Sequence, residues 1–121
     1  MRIGVLVGGG DAPGLNAAIK AAVIKAKESG FDVTGIKRGW AGLLELDTQP
    51  LDIDVVEEIH SRGGVVLYTS RTNPFKVENG PELVIKNMKK LKIDALIAMG
   101  GEDTLGVAQK LFEMGVPVVG I

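Results

Sequence analysis

The sequence predicts an α/β fold, a mostly parallel sheet with helices on both faces in a Rossmann-like layering. Short aliphatic, β-branched runs alternate with segments of helical period along the whole chain. The connections between them are a few residues long, as right-handed crossovers between parallel strands require. Of the 17 glycines among 121 residues, most sit at the junctions of apolar segments and not in a repeat, so they act as turns and helix stops.

Residues 2–7 are an aliphatic run closed by Gly8, Gly9 and Gly10, the pattern of a buried strand entering a turn. Pro13 suits a helix first turn, and Leu15, Ala18, Ala22 and Ala26 recur at helical spacing until Gly30 stops them. Residues 31–36 read as a second strand, and residues 39–50, with Gly39, Gly42 and Pro50, as loop and short turns. Asp54 with Glu57 has the character of a capping box, opening a short helix that Gly63 closes. Residues 65–69 are a further strand, and Pro81 opens a helix whose Val84, Met88 and Leu91 share a face. A strand at 93–99, a helix at 104–114 ended by Gly115, and a strand begun at 118–121 complete the alternation.

The length suits one compact domain with its own core. Fourteen basic against fifteen acidic residues leave a net charge of −1, without the general basic surface of a nucleic-acid or membrane-surface binder. No cysteine is present, so neither a disulfide framework nor a thiolate metal site is possible. The apolar runs are far shorter than the ~20 residues of a membrane helix, and the N-terminus lacks the pattern of a signal peptide. A cytoplasmic setting is the expectation.

The chemistry concentrates in two glycine-rich loops at strand C-terminal ends, Gly8 to Gly14 and Gly100 to Thr104. Consecutive glycines let backbone N–H groups approach a ligand, and the helix N-terminus behind them adds partial positive charge, so phosphate is the natural guest. A tight turn without ligand is the alternative for either loop alone. The first loop is not a P-loop, because Leu15 and Asn16 stand where Lys and Ser or Thr are needed, and Pro13 breaks the dinucleotide pattern. Asp11, Glu102 and Asp103 would repel a bare phosphate, a conflict that a bridging magnesium ion removes. Helix N-capping is the competing use of each carboxylate. Arg71 follows a strand at the same sheet edge, where its guanidinium would clamp a phosphate or simply be solvated. His60 has no partner for metal or nucleophile chemistry and reads as a surface residue. Trp40 and Tyr68 are too few for base stacking and read as packing residues.

The segments GVLVGGGDAPGLNAAIKA, GWAGL, GGVVLYTSRTNP and IAMGGEDTLGVA, in this order and at these distances, closely resemble the phosphofructokinase family. The related NAD and lipid kinases share only the last motif. By position, the resemblance makes Gly9 a backbone contact to the phosphoryl donor, Arg71 a ligand of donor phosphates, and Glu102 the ligand of Mg2+. Gly9, Gly10, Gly101 and Thr104 would hold donor oxygens. Members that use ATP carry glycine after the acidic residue and those that use pyrophosphate carry Asp, so Asp103 points to pyrophosphate as the donor. Its side chain fills the place of a third phosphate and repels that charge, and it is the one residue assigned here to the transfer itself.

The resemblance implies phosphoryl transfer from pyrophosphate to fructose 6-phosphate in glycolysis, with ATP as the alternative donor. In the family, the strand at 118–121 runs into a proline-lysine-threonine-isoleucine-aspartate segment that supplies the catalytic base. Residues 1–121 are therefore expected to be a donor-binding domain, incomplete because the sugar-binding and C-terminal parts are absent. Alone it would be inactive, or a non-catalytic phosphate-binding fragment; the parent would be a homo-oligomer.

Overall fold

The computed structural model describes residues 1–8, 15–51 and 72–121. Among the described residues, strand β1 (Arg2–Val7) lies at the centre of a five-stranded sheet. It pairs in parallel with β2 (Asp32–Ile36) on one side and β4 (Ala95–Met99) on the other. β5 (Val118–Gly120) extends the sheet in parallel beyond β4, and β3 (Thr48–Pro50) is an antiparallel edge beside β2. The strand order is β3-β2-β1-β4-β5. The expected α/β fold with a mostly parallel sheet is the one observed.

Helices cover both faces because the central strands alternate their side chains between two cores. Val5, Val7 and Met99 face helix α1 (Leu15–Glu28), which buries Ile19, Val23 and Ala26 against them. Leu6, Leu96 and Ala98 point the other way. There they meet Trp40 and Leu43 of α2 (Trp40–Glu45), Val84 and Met88 of α3 (Gly80–Lys90), and Val107 and Leu111 of α4 (Glu102–Glu113). Each fully buried Leu or Ile contributes about 1.5–3 kcal/mol by leaving water. The buried line of α1 runs through Ile19 and Val23, while the Ala18 and Ala22 of the expected face are partly buried beside it.

Three helices end by one device. Gly30 takes φ 80° after α1, and the next N–H, of Phe31, reaches back to Ala26 O at 2.9 Å. Gly115 does the same after α4, with Val116 N bonding Leu111 O at 3.0 Å. After α3 the left-handed residue is Lys92, with Ile93 N bonding Met88 O at 2.9 Å.

Residues 39–50 differ from the expected loop: they form α2 and β3. Trp40 and Leu43 are drawn into the core, which holds a helix too short to persist alone. The chain turns into and out of it through positive φ at Arg38, Gly39 and Leu46. The Arg38 guanidinium spans the corner, donating to Glu45 and, at 3.1 Å, to Asp47, and both contacts hold its pKa above the ordinary arginine value. The buried Asn87 amide donates at 2.6 Å to Leu43 O and at 3.3 Å to Leu44 O, satisfying carbonyls that the end of α2 leaves open. Pro50 is tolerated because β3 is an edge strand; Leu51 N, next along, makes the inward bond to Val33 O.

The short helix at Asp54–Gly63, the strand at 65–69, His60 and Tyr68 lie outside the described residues. Trp40, expected to pack in the core or in a loop, is a core residue. Among the described residues no helix is long and apolar enough to cross a membrane.

Candidate functional site

β1 and β4 are neighbours, yet the helices that follow them pack on opposite faces of the sheet. The crevice between the two strands at their C-terminal ends is where open parallel sheets receive ligands. Both glycine-rich loops begin there. Gly8 N donates to Met99 O at 2.9 Å, which ties the end of β1 to the end of β4, and Gly100 N donates to Ile121 O at 3.2 Å.

The floor of the crevice is packed without slack. A methyl carbon at Gly8 would lie 2.2 Å from Thr104 Oγ1. One at Gly100 would lie 2.7 Å from Gly8 O and 2.9 Å from both Thr104 Cβ and Oγ1. Gly101, the next residue, is exposed, and a methyl carbon there would meet none of the described residues within 4 Å. One glycine of the pair is demanded by packing and the other faces open space.

Helix α4 starts in that open space. Gly101 is its N-cap and supplies no side-chain cap, so the N–H groups of the first turn have no partner within the helix. They and the helix dipole present partial positive charge to the crevice. Glu102 and Asp103 occupy the first turn, both exposed and, among the described residues, without an ion pair. Their position benefits from the dipole, but the N-cap itself is glycine, so neither carboxylate serves as the cap that the sequence allowed as an alternative. Thr104 is buried at 4% exposure.

Gly101, Glu102, Asp103 and Thr104 are thus brought together on one helical turn, with the Thr104 side chain turned inward and the two carboxylates outward. Gly9, Gly10, Arg71 and Asp11 lie outside the described residues. Gly8 and Gly100 were read only as parts of glycine runs; their role as packing partners of Thr104 has no signal in sequence beyond the doubled glycines.

The carboxylates fit a magnesium ion of one kind. Among the described residues no group of three or more His, Asp or Glu side chains could cage a metal. Mg2+ commonly takes one or two carboxylates and completes its shell with phosphate oxygens and water, so Glu102 beside an anion-accepting helix end suits it. A cleft of about 350 Å³ lies elsewhere, lined by Arg2, Asp32, Thr34 and Thr48 among others at the strands' opposite end. Topology and chemistry favour the crevice over that cleft as the functional site, since ligands of parallel sheets bind beyond the C-terminal strand ends.

The profile of the family Phosphofructokinase matches residues 2–121. The chain belongs to the phosphofructokinase family. The pyrophosphate–fructose 6-phosphate 1-phosphotransferase of Dictyoglomus thermophilum is 56% identical over 121 residues, covering 100% of this chain and 35% of that protein. The ATP-dependent 6-phosphofructokinase of Halalkalibacterium halodurans is 46% identical over 99% of this chain and 38% of that protein. Among solved structures, phosphofructokinase from Saccharomyces cerevisiae superposes with a TM-score of 0.83 at 27% identity, over 99% of this chain and 19% of that one. This phosphofructokinase chain therefore spans little more than a third of the curated relatives' length, and relatives named for either donor resemble it closely.

Proposed function

We propose that residues 1–121 form the donor-binding domain of a phosphofructokinase that transfers a phosphoryl group from pyrophosphate to the 1-hydroxyl of fructose 6-phosphate. The observation that carries this reading is Asp103, exposed beside Glu102 on the uncapped first turn of α4. The higher identity to a relative named for pyrophosphate, 56% against 46% for one named for ATP, supports the same donor. That ATP-named relative also keeps ATP as a second reading.

The first-turn N–H groups of α4 would donate hydrogen bonds to oxygens of the bound pyrophosphate, with Gly101 leaving the backbone accessible. Glu102 would hold Mg2+, which when bound neutralises charge between carboxylate and phosphate. Asp103 would occupy the place of a third phosphate, disfavouring ATP by charge and volume, and would help to orient the smaller donor. Gly9, Gly10 and Arg71 would complete the phosphate cradle. In the transfer, the bond from the bridging oxygen to phosphorus breaks and one from the sugar's O1 forms. Inorganic phosphate leaves, and the hydroxyl proton passes to a base outside these residues. The sugar site also belongs to further chain, and the setting implied is a homo-oligomeric, cytoplasmic enzyme of glycolysis.

The test is kcat/KM for both donors in an enzyme of the relatives' full length bearing this sequence, at fixed Mg2+ and saturating fructose 6-phosphate. Wild type is expected to prefer pyrophosphate. Asp103→Gly should lower pyrophosphate use about a hundredfold, equivalent to ~3 kcal/mol of transition-state stabilisation, and shift the donor ratio toward ATP. A wild type that prefers ATP, or an unchanged ratio, overturns the assignment of Asp103.

A further inference from the structure

We infer that Thr104 is a positioning residue whose side chain wedges between Gly8 and Gly100 and sets the spacing of the two glycine-rich loops. Its contribution is made by volume and not by a hydroxyl bond to the donor. The inference rests on the crevice being the donor site, but it assigns the Thr104 side chain a task that site does not require.

The geometry leads to it in steps. Thr104 is 4% exposed, so its side chain faces the protein and not the open crevice. Its Oγ1 fills the space where Gly8 would carry a side chain, 2.2 Å from that Cβ position, and its Cγ2 is 3.0 Å from the same point. Its Cβ and Oγ1 stand 2.9 Å from the corresponding position at Gly100. The Gly8 carbonyl in turn lies 2.7 Å from the Gly100 position, so loop, loop and helix meet at one point. Gly8 and Gly100 are also fastened to strand ends through Met99 O and Ile121 O. A side chain that occupies this point holds the start of α4, and with it Glu102 and Asp103, at a fixed distance from the first loop. Donor groups displaced by about 1 Å lose on the order of a hundredfold in rate, so such a wedge matters to turnover beyond its effect on folding.

The test is a reciprocal size swap, read as turnover with whichever donor the wild-type full-length enzyme uses. Thr104→Val keeps the volume and removes the hydroxyl, and should retain clearly more of wild-type kcat than Thr104→Ala does. Thr104→Ala should lower kcat about tenfold with donor KM changed less, because it unseats the carboxylates without removing a donor ligand. Gly8→Ala alone should lose about a hundredfold, and Gly8→Ala with Thr104→Ala should regain at least about tenfold of that, since the double variant removes the two Thr104 atoms nearest the new methyl, Oγ1 and Cγ2, and leaves the Thr104 Cβ position 3.2 Å away. Thr104→Val as impaired as Thr104→Ala, or a double variant no better than Gly8→Ala, overturns the wedge. The donor reading fails separately, if wild type prefers ATP. If the wild type turns over neither donor, amide exchange at Gly101 to Thr104 in the same variants decides: faster in Gly8→Ala and restored in the double variant supports the wedge, and no restoration overturns it.

Discussion

The α2 corner and the start of α4 are both turns into a helix through an N-cap glycine without a side-chain cap, yet Gly39 is buried and Gly101 is exposed. At the corner, Arg38 is paired with Glu45 and Asp47, the open carbonyls of Leu43 and Leu44 receive the Asn87 amide, and Gly42 is walled in by Lys37 O and Asp47 O. At α4, Glu102 and Asp103 point outward, and no described residue lies within 4 Å of a methyl placed on the exposed Gly101. Both helix starts lack a side-chain cap, and the Trp40 Nε1 at the corner is buried without a hydrogen-bond partner among the described residues, so what sets the start of α4 apart is that it is exposed. The comparison therefore separates architecture from site without reference to any ligand.

The contrast breaks if the two glycines respond alike to a methyl group. Gly42→Ala should cost the most: the new carbon would sit 2.1 Å from Lys37 O and 2.9 Å from Asp47 O, both backbone atoms, so a loss of about 3 kcal/mol is expected in denaturant unfolding. A loss under about 1 kcal/mol would mean that the corner is looser than its packing indicates. Asn87→Leu comes next. It leaves the buried Leu43 carbonyl and the partly buried Leu44 carbonyl without their donor and should lower stability by about 2 kcal/mol, with no change in donor preference. An unchanged unfolding midpoint would remove Asn87 as the tie between α3 and α2. Gly101→Ala should have the smallest effect on folding, within about 1 kcal/mol, while raising the donor KM about tenfold, because the methyl would enter space only a ligand uses. A donor KM left unchanged would sink the reading of that space.

Much of the fold was legible because the central strands advertise themselves. A strand buried on both faces, such as Arg2–Val7, must be an unbroken aliphatic run, and Gly30 and Gly115 mark helix ends that need a left-handed residue. The corner was not legible, because its turns place Arg38 and Leu46 at positive φ without the glycine or asparagine that would signal it. The six-residue helix there exists through the burial of Trp40 and Leu43, a tertiary effect that no local pattern encodes. At the site, the doubled glycines and the acidic pair Glu102 and Asp103 were visible as a phosphate-and-magnesium pattern. The inward turn of Thr104 was not, since it depends on Gly8, nearly a hundred residues away in sequence and adjacent only through the β1–β4 pairing.

The most direct test of the open helix start as a magnesium-dependent donor site is calorimetric titration of pyrophosphate, with and without Mg2+, into the wild type and Glu102→Gln. Pyrophosphate is expected to bind the wild type only when Mg2+ is present. Glu102→Gln should weaken that binding at least about tenfold, the loss of one carboxylate from the ion's shell. Equal binding without Mg2+, or a Glu102→Gln variant that binds as the wild type does, would contradict the account.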